Sequence, residues 1–123
     1  MRPVFTADEM RRVDQRAIHE LGIPGATLME TAGRGAAACI QAALPELGLP
    51  RRGVRVAVVC GKGGNGGDGF VVARWLKRGG HRVEVFLLAA PGDVRGDAAL
   101  KLREMERRAL RARVVEDPAV LAR

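Results

Sequence analysis

The sequence predicts an α/β protein, a three-layer, Rossmann-like parallel sheet preceded by two N-terminal helices. Three observations carry that expectation. Helical patterning fills the chain as far as Leu44, then gives way at Val54 to a β-branched run. The run ends in a glycine cluster, Gly61 to Gly69, the usual exit of a buried parallel strand. Beyond it, helix-like and strand-like segments alternate, which right-handed crossovers convert into a parallel sheet with helices on both faces.

At 123 residues the chain makes one domain, 1–123, with room for a hydrophobic core. A composition of 47% apolar and 28% charged residues is that of an ordinary soluble protein and excludes a largely disordered one. No apolar run approaches the roughly 18 residues of a membrane span, and Met1-Arg2-Pro3-Val4 opens no signal peptide. Cys39 and Cys60 sit in apolar stretches without metal spacing; both are expected to be buried and reduced, in a cytoplasmic protein. Twenty-one basic residues face 14 acidic ones for a net charge of +7, and all but Lys62, Lys77 and Lys101 are arginines. Arginines 103 to 113 have the spacing of a solvated helix face, and aromatic residues are too few for base stacking, so nucleic-acid binding is not expected.

Each element has its own signal. Thr6 and Glu9 form a capping box that opens a helix to about Leu21, broken by Gly22-Ile23-Pro24-Gly25. A second helix runs from about Ala26 to Leu44, with Leu28, Met29, Ala32, Ala36, Cys39, Ile40 and Ala43 on its expected buried side. The strand from Val54 to Cys60 leads into the Gly61–Gly69 turn, expected to be a loop because six of its nine residues are glycine. A helix from about Asp68 to Arg78 ends at Gly79-Gly80. A second strand spans Arg82 to Leu88, and a further helix Val94 to Leu110, with Ala98, Leu102, Met105 and Ala109 facing inward. Ala112 to Glu116 makes a short third strand, and Asp117-Pro118 starts another helix. Because that helix begins only five residues from the end, the domain is expected to be incomplete on its C-terminal side, with an open sheet edge that favours pairing with another chain.

In open α/β folds the ligand lies beyond the carboxyl ends of the strands, and here that place is the Gly61–Gly69 turn. Gly61-Lys62-Gly63-Gly64-Asn65-Gly66 fits G-x-G-x-x-G loosely, but Ala89-Ala90-Pro91 follows the second strand where a dehydrogenase carries an acidic residue. Asn65 and Asp68 admit two readings. One is a turn-forming Asn and a helix-capping Asp; the other is an amide oxygen for a hard cation and a carboxylate for ligand hydroxyls. His19 and His81 read as structural, and Lys62 lacks the following Ser or Thr of a P-loop.

Gly61-Lys62-Gly63-Gly64-Asn65-Gly66-Gly67-Asp68-Gly69 resembles the G-x-G-N-N-G-G-D-G loop of the NAD(P)H-hydrate epimerases. Phe5 to Met10 with Gly22-Ile23-Pro24 is similar to that family's opening helix, and Leu28-Met29-Glu30-Thr31-Ala32-Gly33 to its L-M-E-N-A-G signature. Arg95-Gly96-Asp97-Ala98 resembles a further element after the second strand. The resemblance implies interconversion of the R and S hydrates of NADH and NADPH, feeding an ADP- or ATP-dependent dehydratase that is fused or separate. It implies substrate contact at Gly64, Asn65, Gly66, Gly67 and Asp68, and a potassium ion at Asn65. Against the family pattern, Gly64 and Thr31 stand where asparagines are usual, and Ala89 where some members have a lysine. The resemblance implies that the family's V-D-A-like strand, with its catalytic aspartate, falls beyond Arg123, so the chain alone is expected to be inactive. A non-catalytic Rossmann-like nucleotide-binding or interaction module is the alternative that this leaves.

Overall fold

A computed structural model describes residues 23–117 and Ala119. The helix expected over 6–21, and His19 within it, lie outside the described residues. Helix α1 (Gly25–Ala43) leads through a short 3-10 turn to strand β1 (Arg55–Cys60) and helix α2 (Gly64–Arg78). Strand β2 (Arg82–Leu87), helix α3 (Gly96–Arg107) and strand β3 (Ala112–Val114) follow. The sheet is parallel throughout, in the order β1-β2-β3, with Val56 beside Val83, Val58 beside Val85 and Cys60 beside Leu87. Among the described residues no helix is long and apolar enough to cross a membrane.

The parallel α/β architecture is as expected. Both crossovers step the same way across the sheet, and right-handed connections then place α2 and α3 on the same face. The core lies there: Cys60, Val85 and Leu87 from the strands, Phe70 and Ala73 from α2, and Ala98, Leu102 and Met105 from α3. Helix α1 packs against α2 and α3. The outward residues Ala57, Val59 and Glu84 are exposed, and β1 alternates in burial where its β-branched run suggested burial on both faces.

Helix α1 turns a different stripe inward from the one its apolar residues suggested. Cys39, Ala36 and Ile40 are exposed, while Gly33, Ala37 and Leu44 are buried, with Glu30 and Gln41 half-buried on the same stripe. The reason is a close approach: a Cβ on Gly33 would overlap the Val71 side chain of α2. Polar groups on that face are satisfied rather than excluded. Gln41 Oε1 lies 2.6 Å from His81 Nε2, and His81 Nδ1 accepts the Val54 amide at 3.2 Å, tying α1 to the start of both long strands.

Helices α2 and α3 end in one and the same motif. At α2, His81 N–H donates to the Leu76 carbonyl at 3.2 Å and Gly80 N–H to Lys77 at 3.0 Å, with Gly80 at φ +93°. At α3, Leu110 N–H donates to Met105 at 3.4 Å and Ala109 N–H to Glu106 at 3.1 Å, but the left-handed residue is Ala109, at φ +61°. Ala109 therefore does not face inward in a longer helix. It is exposed, beyond a helix that stops at Arg107.

The strain at Ala109 gives a direct test. Ala109→Gly removes a Cβ from the left-handed region, and urea unfolding is expected to show a gain of about 1 kcal/mol.

Candidate functional site

The glycine-rich turn is shorter than the sequence suggested. Helix α2 begins at Gly64, so Gly64, Asn65, Gly66, Gly67 and Asp68 form its opening turns rather than a loop. Asp68 is its fifth residue, and the N-cap is Gly63, which overturns the capping role expected of Asp68. The helix tolerates these glycines because tertiary contacts replace intrinsic propensity.

Close approach divides the glycines into two kinds. A Cβ on Gly66 would overlap the Gly61 carbonyl oxygen, and one on Gly67 the Met29 thioether. A Cβ on Gly69 would stand 2.6 Å from Cys60 Sγ. These three residues are glycine so that α2 can close onto the end of β1 and onto α1. Gly61 and Gly63 are different: among the described residues nothing lies within 4 Å of a Cβ at either, and neither has a left-handed φ. Packing among those residues does not explain them. They border the open ground beyond the carboxyl end of β1, where the first-turn amides of α2 point outward with the positive end of the helix dipole.

A second helix start adjoins the first. Gly96, at φ +62°, turns the chain into α3, and Ala98 would lie 3.0 Å from a Cβ on Gly67. The Arg95-Gly96-Asp97-Ala98 segment thus brings α3 against the opening of α2. Lys62 is exposed beside this ground, and Leu88 N–H donates to the Cys60 carbonyl at 2.8 Å, closing the sheet beneath it. Cys60 itself is no nucleophile, because burial pushes its thiol up to about 11.

What aligns these helices is Glu30, within the Leu28–Gly33 segment. Trp75 Nε1–H donates to its Oε2 at 2.7 Å, Arg74 donates to Oε1, and Lys101 Nζ donates to Oε1 at 3.0 Å. Lys101 is buried on α3 and also reaches Glu104 at 3.2 Å. Burial pushes the Glu30 carboxyl up, but the bonds from Trp75, Arg74 and Lys101 outweigh it and hold it at about 2. Sequence patterning missed the whole network. Lys101 sits one residue before Leu102 of the apolar stripe, and a lysine at that place reads as solvated. The described residues hold no group of three or more His, Cys, Asp or Glu that could bind a metal.

Residues 25–120 match the family described as YjeF-related protein N-terminus. The chain is 52% identical over 100 residues to the bifunctional NAD(P)H-hydrate repair enzyme Nnr of Salinibacter ruber, covering 81% of this chain and 18% of that one. It is 39% identical over 113 residues to the NAD(P)H-hydrate epimerase of Rhodopirellula baltica, covering 92% of this chain and 43% of that one. In fold it is similar to the crystal structure of yeast ynu0, YNL200c, with a TM-score of 0.75 and 24% identity, over 98% of this chain and 51% of that one. The chain therefore spans less than half the length of these two enzymes.

Titrating Glu30 should be visible as an acid limb of stability. Its folded value lies below the ordinary 4.5, so its contribution is complete above about pH 5 and fades as pH falls towards 2. Glu30→Gln is expected to cost about 2 kcal/mol at neutral pH and to flatten that limb, read from urea unfolding at pH 7 and pH 3.

Proposed function

The chain belongs to the family of YjeF-related protein N-termini, and on that premise we propose that it binds a hydrated reduced nicotinamide dinucleotide at the turn between β1 and α2, as part of an enzyme that interconverts the two hydrates. The observation carrying this reading is the pair Gly61 and Gly63, glycines that packing does not require, beside the outward amides of α2. Backbone without side chains admits a pyrophosphate closely, and a helix N-terminus favours its charge. The two enzyme relatives described above support the substrate class by their names. The bifunctional relative supports a second repair activity as partner, which we take to be a dehydratase of the hydrate.

Within this reading each residue has a limited task. Gly66 and Gly67 let α2 stand close to β1 and α1, Gly64 and Asn65 offer first-turn backbone amides, and Asp68 contributes the one carboxylate of the segment. Moving a proton at the ring needs a titratable group within hydrogen-bond reach of the reacting atom. Asp68 alone is not an acid and base pair, and this favours binding without turnover as the second reading for the chain by itself. Potassium at Asn65 is proposed on one hard oxygen donor, its amide carbonyl. A single amide oxygen does not make a complete cation site.

Calorimetric titration with the R and S hydrates, with and without potassium, tests the reading. Binding of either hydrate at least tenfold tighter than NADH is expected, and no heat from a folded sample would overturn it. Gly63→Ala should weaken that binding about tenfold while leaving the unfolding midpoint in place. Gly66→Ala should instead lower stability by about 1–3 kcal/mol, the usual cost of overpacking.

A further inference from the structure

Far from the glycine turn, the last turns of α2 carry a concentration of positive charge that the proposed function does not use. Arg74, Lys77, Arg78 and Arg108 line one open depression of about 490 Å³, and among the described residues no carboxylate lines it. Lys77 and Arg78 lie in the last turn of α2, where cations answer the negative end of the helix dipole. That accounts for two of the four. Arg108 comes from a separate element, just after α3, and Arg74 lies one turn earlier.

The groups are held in place. Lys77 Nζ donates to the Arg108 carbonyl at 2.7 Å, fixing the end of α2 to the end of α3. Arg74 and Arg78 lie 5.6 Å and 5.0 Å from the centre of the Trp75 ring, whose orientation is set by its N–H bond to Glu30. Stacking fixes a guanidinium plane while leaving its N–H edge available for bidentate contact with phosphate oxygens. Among the described residues only Arg74 of the four has an ion-pair partner, Glu30. Like charges held together in this way repel one another, and a multiply charged anion would relieve that repulsion.

We propose that this depression binds linked phosphates, at a site separate from the glycine turn. Three positive charges around one depression without an ion-pair partner among the described residues match an oligophosphate better than a single phosphate or carboxylate. A nucleic-acid strand is the poorer match, because the one aromatic ring beside the depression already carries arginines and is not a free stacking platform. The fourteen positions from Gly64 to Arg78 separate the two sites by about 20 Å along α2. The inference therefore stands or falls independently of the proposed function.

Titration of the chain with inorganic tripolyphosphate, against sulfate at equal ionic strength, tests it. Tripolyphosphate is expected to bind at least tenfold tighter than sulfate, and the same affinity for both would overturn the proposal. Arg78→Glu with Arg108→Glu should reduce binding at least tenfold, and the milder Arg78→Gln with Arg108→Gln should do so in part while keeping the fold. Arg103→Glu with Arg113→Glu makes the same charge change on exposed arginines elsewhere and should leave binding within twofold. Equal losses in the two charge reversals would reduce the effect to net charge and sink the site. Pyrophosphate and ADP distinguish the source: equal affinity assigns recognition to the phosphates alone, and tighter ADP adds a nucleoside, with both requiring Arg78 and Arg108. Displacement of tripolyphosphate by a short single-stranded RNA at lower concentration would overturn the assignment in favour of nucleic acid.

Discussion

Three helices meet at one carboxylate. Glu30 receives Arg74 and Trp75 from α2 and Lys101 from α3, so a single side chain of α1 fixes the relative positions of all three. The chain carries an excess of seven positive charges, and these helices bring two cations into a half-buried space where water screens them poorly. Without an anion there, Lys101 would be left with Glu104 alone. Burial by itself would favour protonating Glu30; hydrogen bonds from Trp75, Arg74 and Lys101, with the charge of Arg74, reverse that preference, and the ionised form becomes part of the fold.

The same convergence builds the end of the molecule where β1 meets α2. Holding α1 against α2 places Met29 over Gly67 and Gly33 over Val71, contacts with no room for a Cβ. Helix α2 is therefore positioned by its neighbours even though its opening turns are mostly glycine, a composition that forms no helix in isolation. This explains how a segment can be rich in glycine and yet rigidly set. It also separates the glycines that serve packing, Gly66, Gly67 and Gly69, from Gly61 and Gly63, which leave the mouth of the strand open. Two segments that the sequence offered as family signatures, Leu28–Gly33 and Arg95–Ala98, are explained in large part by this packing. Glu30 and Gly33 join the helices, and Gly96 and Ala98 bring α3 beside the start of α2.

The sequence by itself determined the order of elements, the parallel sheet and the place of the glycine-rich segment at the end of β1, because those follow from local signals: β-branched runs, glycine punctuation and helical period. It also identified the end of α2 at Gly79-Gly80, where the backbone demands a left-handed residue. What it did not determine were properties that depend on a partner distant in the chain. Cys39 reads as core by apolarity but is exposed, because the close contact at Gly33 turns a different stripe inward. Lys101 reads as solvated but is buried, because Glu30, 71 positions away, neutralises it. Helix α2 begins before Asp68 because Gly61, Met29 and Cys60 crowd its first turns into place, and the two crossovers share a face because they step in one direction. Only the tertiary structure decided these, since each rests on a distance between groups that periodicity along the chain does not encode.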